Sequence, residues 1–267
     1  MMKLLAFLKR DFLLTSSYKL PFFIQIMGIF FSMFIFYYVS KLVGSGQNGV
    51  LNKYGGNYFS FLLIGIAFSD FFLTSINAFS EEIRRGQLLG TLEALLTAPI
   101  STTEILIYSS LFNYLFSCVR FSIYFIFGRL FFGLSFSSIN FLSVISIFLL
   151  SILSFWGIGM ISATFVIIFK QNSPLKWLLG PATGLLGGIF YPTELLPKPL
   201  EHLSSLLPIT HSVEALRIVL FKKGDMDDIS LQLISLLFLS AFLFPLGIYS
   251  FKMGLRIAKQ NGSLLHY

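Results

Sequence analysis

Residues 141–169 read FLSVISIFLLSILSFWGIGMISATFVIIF, a stretch without a single charged side chain. A helix needs about 20 apolar residues to cross a hydrocarbon core of roughly 30 Å, and this run exceeds that. In lipid only helices and closed barrels satisfy their own backbone groups. The run shows no apolar/polar alternation at period two, which selects a helix over a barrel strand. Comparable runs lie on either side, and six spans are expected near residues 21–43, 58–80, 103–133, 141–169, 177–191 and 229–251. The expected fold class is all-α, a polytopic membrane bundle.

Composition agrees. Of 267 residues 55% are hydrophobic and 12% charged, with a mean hydropathy of +0.82, whereas soluble domains carry about 25% charged residues. The net charge of +7 would suggest nucleic acid in a soluble protein; here it is the placement of basic residues about the spans that matters, and no nucleic-acid partner is expected. One side of the spans holds Lys3, Lys9, Arg10, Lys19, Arg84, Arg85, Lys170, Lys176, Lys252, Arg256 and Lys259, the other Lys41, Lys53, Lys198, Arg217, Lys222 and Lys223. The excess puts both termini in the cytoplasm. Cys118, the single cysteine, excludes a disulfide framework within one chain and reads as a small buried residue.

Residues 1–20 set Lys3, Lys9, Arg10 and Lys19 among Leu4, Leu5, Leu8, Phe12 and Leu13, the spacing of an amphipathic helix on the inner membrane surface. The apolar run that follows is too long for a signal peptide and lacks a small-residue cleavage site, so the first span is expected to be retained. No internal repeat or linker divides the rest, and 21–267 reads as one six-span domain.

Between the second and third spans, the loop 81–102 contains RRGQLLGTLEALLTAPIS from Arg84 to Ser101. Gly90 and Thr91 can start a short helix, Leu92, Leu95 and Leu96 give it an apolar face, and Pro99 ends it. Ser101 and Glu104 form a capping box that restarts the chain. A short amphipathic helix between two stops suits docking into the groove of a soluble motor; resting on lipid headgroups is the alternative. This run resembles the loop of type-2 ABC exporter permeases, in which Gly-Thr-Leu-Glu precedes Leu-Leu-x-x-Pro. The resemblance implies contact with an ATP-binding subunit through Glu82, Arg85, Gly90, Thr91, Glu93, Leu96 and Pro99.

A second stretch resembles the same family: GLLGGIFYP from Gly184 to Pro192, then Glu194, Pro208 and Glu214-Ala215-Leu216-Arg217. The segment 177–191 is short for a span, and the outer hairpin 192–222 mixes Leu with charge, as expected of short helices that dip into the outer leaflet with their charges facing water or protein; a plain exposed loop is the alternative. Pro192, Glu194, Pro208, Glu214 and Arg217 are its candidate residues. Gly180, Gly184 and Gly188, four apart, suggest a close-packing helix face. Asp70 and Arg120 lie within spans, where charge is costly, as an ion pair or as contacts for a polar cargo, while Arg129 is near enough to a span end to snorkel.

No G-x-x-x-x-G-K-[ST] occurs, nor H-E-x-x-H or G-x-S-x-G. No catalytic residue, metal site or cofactor is expected in this chain, with ATP and Mg on the partner. The resemblance implies a permease subunit of a prokaryotic plasma or inner membrane exporter, paired with a second copy or a homologous permease and with two ATP-binding subunits. Its cargo would be a drug, a lipid or a lipid-linked polysaccharide. The alternative is a channel or secondary carrier that needs no motor.

Overall fold

Asn140 opens the run quoted above: its side chain accepts from the amides of Leu142 and Ser143, satisfying two of the donors every helix start leaves over. The helix ends where Lys170 turns left-handed (φ 54°) and returns its N–H to Val166. The computed structural model describes residues 2–17, 19–43, 58–88, 90, 102–134, 140–171, 173–222 and 224–260. In chain order the helices are α1 (Met2–Ser17), α2 (Lys19–Val43), α3 (Tyr58–Leu88), α4 (Thr102–Phe132), α5 (Phe141–Phe169), α6 (Pro174–Leu186), α7 (Lys198–Ser205), α8 (Pro208–Lys222) and α9 (Ser230–Gln260). A 3₁₀ turn, Thr193–Leu195, precedes α7.

Helices α2, α3, α4, α5 and α9 are each long and apolar enough to cross a membrane, and the pair α7 and α8, bent by 87°, makes a broken or re-entrant sixth. The span expected at 177–191 is different. Helix α6 has 13 residues, about 20 Å at 1.5 Å per residue, too short to cross alone. It stops at Gly187, and Gly188 then takes φ +67°, which residues with a Cβ rarely adopt. Gly188 is therefore past the helix, and the expected face of three glycines does not form. Gly180 meets nothing within 4 Å, and Gly184 meets only the Phe190 ring.

Close packing is found elsewhere. A Cβ on Gly157 of α5 would stand 2.2 Å from the Leu243 carbonyl oxygen of α9, and one on Gly247 of α9 would stand 2.5 Å from that of Gly157. Two glycines thus bring two spans into backbone contact, as small residues do in membrane helices. Helix α3 is the centre of the bundle, with 72% of its apolar window buried against 11% for α2 and 17% for α9. Phe68, Phe71 and Phe72 of α3 are fully buried and meet Phe155 of α5 with ring centres 4.6–6.2 Å apart, at tilted or edge-on angles. Many phenylalanines therefore build the core, while Phe31, Phe131 and Phe238 face outward.

Candidate functional site

Helix α3 continues past residue 80, the expected end of its span, to Leu88, so Glu81–Leu88 is helix and not loop. Glu, Ile, Arg, Gln and Leu favour helix here, and Gly90, at φ +66° with its N–H on the Gln87 carbonyl, closes it. Gly90 thus ends one helix, and is not the start of the next that its place in the sequence suggests. Thr91, Glu93, Leu96, Pro99 and Ser101 lie outside the described residues.

The protruding end of α3 is tied on both sides. Glu82 receives Arg10 of α1 at 3.3 Å and lies 3.7 Å from Arg85. Arg10 also donates to Asp11 at 2.7 Å and sits 5.0 Å over the Phe7 ring. Burial works against the Arg10 charge, but Asp11 and Glu82 outweigh it and raise its pKa. On the other side Arg84 donates to the Lys170 carbonyl at 2.8 Å, placing a cation at the carbonyl end of α5. Glu81 pairs with Lys176 of α6 at 3.4 Å. Glu81, Arg84, Arg85 and Lys176 line an open cavity of about 790 Å³ between α3, α5 and α6. Of the expected docking residues, the structure brings together Glu82 and Arg85. Arg10, Arg84 and Lys176, which sequence reading did not single out, complete the cluster; the signal available was the crowding of basic residues at this end.

Asp70 and Arg120 form a direct hydrogen-bonded ion pair between α3 and α4, 24% and 19% exposed. The Nε atom of Arg120 is buried with no partner among the described residues. Neither residue lines the cavity beside Arg84.

At the opposite end, α8 is not a surface helix. Ile209, Val213, Leu216 and Val219 are wholly buried, and Ser212 meets Ser151 of α5 at 2.6 Å. Arg217, counted above among the outward basic residues, is 2% exposed. It donates to the carbonyls of Gly188 at 2.7 Å, Ile189 at 3.2 Å and Phe61 at 3.0 Å, and its guanidinium lies 3.4 Å over the Phe61 ring. The reason is the break after α6. Non-helical backbone at depth exposes carbonyls that lipid cannot satisfy, and a planar cation with five donors satisfies several at once. Removing Arg217 from the outward count strengthens the charge bias. Glu194, Glu214 and Arg217 line one cavity of about 360 Å³ at this end. Pro192 caps the 3₁₀ turn, and Pro208 begins α8, its carbonyl accepting from Ser212 at 2.8 Å.

Among the described residues no group of three or more His, Cys, Asp or Glu side chains could hold a metal ion. Sequence comparison with curated proteins finds no match. The family model for the ABC-2 type transporter matches residues 2–221, from α1 to within one residue of the end of α8, and so takes in the tethered end of α3, the ion pair and the Arg217 lock. The chain belongs to the ABC-2 type transporter family, as a multi-pass membrane permease subunit.

Proposed function

We propose that this chain is the membrane half of an ATP-driven exporter, with two permeases enclosing a path and ATP-binding subunits engaging the segment after α3. The observation that carries this is α3 itself. It is one unbroken helix of 31 residues, about 46 Å long at 1.5 Å per residue. One end is tethered through Glu82, Glu81 and Arg84, and near the other its Phe61 carbonyl is held by Arg217 of α8. A push on the chain after Leu88 would be delivered through a stiff core helix to the α7–α8 hairpin, which suits rigid-body alternating access.

The ATPase lies outside these 267 residues, which hold no phosphate-cradling loop, and ATP and Mg would be bound there. On this reading that end faces the cytoplasm of a prokaryotic cell, an orientation supported by the crowding of basic residues about α1 and the tethered end of α3. The dimer, of like or homologous chains, would use the outward apolar faces of the peripheral spans. An amphipathic cargo, such as a drug, a lipid or a lipid-linked polysaccharide, suits a hairpin that returns within the bundle.

The test is copurification in mild detergent, comparing the natural chain with Glu93→Arg and Leu96→Asp. An ATPase retained by the natural chain and lost from the variants supports the reading. Solute movement by the reconstituted chain with no ATPase present would replace it with a channel or carrier.

A further inference from the structure

The cavity of about 790 Å³ beside α3 shares Arg85 with the proposed docking segment and adds features that docking does not use. Its lining combines charged and apolar side chains from both α3 and α6. Arg84, Arg85 and Lys176 supply three cations against the carboxylate of Glu81. Trp177 and Leu88, 80% and 64% exposed, supply an apolar rim with Pro181. The Glu81–Lys176 pair at 3.4 Å has both side chains more than half exposed, so it is a weak tie that a competing anion can open. Arg85 lies 3.7 Å from Glu82, at the outer limit of an ion pair, and is itself more than half exposed.

Two further observations point to a ligand of the same kind. Helix α6, 13 residues long, begins at this cavity, and Ser173 at its N-cap makes no side-chain cap bond, its Oγ instead accepting from Ser162 at 2.7 Å. The positive end of the helix thus adds to the field of the three cations. On the opposite wall Asn77 Oδ1 is buried without a hydrogen-bond partner among the described residues, an acceptor suited to a hydroxyl or N–H donor. The apolar rim carries an exposed Trp, a side chain enriched where headgroups meet hydrocarbon.

We infer that this cavity binds the anionic headgroup of an amphiphile, a phosphate-bearing lipid or lipid-linked molecule, with its hydrocarbon lying along Trp177 and Leu88. Arg84, Lys176 and the start of α6 hold the phosphate, and Asn77 accepts from a hydroxyl of the headgroup, which in a phosphate monoester is its P–OH. The inference rests on the exporter reading for its meaning, since it makes this the loading site for cargo, but the binding itself needs no ATPase.

The test uses the purified full chain in neutral detergent. With Trp156→Phe in place, Trp177 is the one remaining tryptophan and reports on the cavity by its fluorescence. The probes are dioctanoyl phosphatidic acid, dioctanoyl phosphatidylcholine with the same tails, and inorganic phosphate. Phosphatidic acid is expected to shift Trp177 emission saturably and to bind about ten-fold tighter than the choline lipid, and Lys176→Gln is expected to weaken it by about ten-fold, the loss of one charge-assisted contact. Arg84→Gln acts in the same direction. Because Lys176 is more than half exposed, its variant folds even where Arg84→Gln does not. Equal binding of the choline lipid, inorganic phosphate binding as tightly as phosphatidic acid, or no effect of Lys176→Gln would each overturn the proposal. Lipid binding by a natural chain that brings down no ATPase and moves solute alone would overturn the exporter reading and leave this site standing.

Discussion

Arg217 on α8 donates to the carbonyl of Gly188 at 2.7 Å, closing the gap left where α6 stops short of a full span. The same guanidinium holds Ile189 and Phe61, so one side chain binds the hairpin to the central helix.

Replacing Arg217 with Met strips these carbonyls of their donors in a buried site. Each unsatisfied acceptor costs about 1–3 kcal/mol, so thermal unfolding in detergent should shift down strongly. Arg217→Lys keeps the charge and loses the fork, and should recover only part of the loss. A Met variant as stable as the natural chain would show that the lock contributes nothing.

Gly157 has no room for a side chain, since a Cβ there would lie 2.2 Å from the Leu243 carbonyl oxygen. Gly157→Ala should force α5 and α9 apart and cost about 1–3 kcal/mol, the usual range for overpacking. Gly180→Ala, where nothing lies within 4 Å, should be neutral or slightly stabilising through helix propensity. Melting temperatures of the two variants in one detergent check the contrast, and equal effects would contradict the α5–α9 contact.

The Asp70–Arg120 pair is largely buried and bridges α3 and α4. Asp70→Asn or Arg120→Gln alone should each destabilise, because the partner charge is left in a poorly solvated place. The double variant should be more stable than the two single effects added together, with a coupling of about 1 kcal/mol or more. Strict additivity in that cycle would mean that the two charges act independently, which a polar-cargo contact at Arg120 would explain better than a pair.

Arg10 and Glu82 link α1 to the end of α3 at 3.3 Å, with Arg10 39% and Glu82 11% exposed. Glu82 is largely buried, so Glu82→Arg sets three guanidinium groups side by side with Arg10 and Arg85 and should lower the melting temperature. It should also lower transport-linked ATPase activity in the reconstituted complex. The exchange Arg10→Glu with Glu82→Arg should restore part of that activity. A loss that the exchange leaves untouched would point to direct contact between Glu82 and the ATPase.

Hydropathy is a sum over neighbours in the chain, and this is why the helical class, the span of 141–169 and the crowding of basic residues at one end could be read from the sequence. The run 177–191 is short for a span, and that much is legible in the sequence, but it was still expected to cross; neither its break at Gly187 nor the remedy could be read there. Arg217 looks like an outward charge until the carbonyls freed after Gly187 stand beside it, and Phe61, which supplies the third carbonyl, lies 156 positions away.

Glycine is similarly mute in one dimension. The regular spacing of Gly180, Gly184 and Gly188 drew attention, while the glycines in backbone contact, Gly157 and Gly247, carry no such period. Which glycine matters depends on how each helix is rotated about its axis, and rotation is chosen by side chains on the neighbouring helix. The sequence alone determined that this chain is an all-helical membrane protein with a charged end and an unusually short fifth apolar run. Tertiary structure decided which charges are buried, which glycines touch, and that Arg84, Lys176 and Trp177 share one cavity. Those outcomes depend on distances between segments far apart in the chain, and local hydropathy contains no information about them.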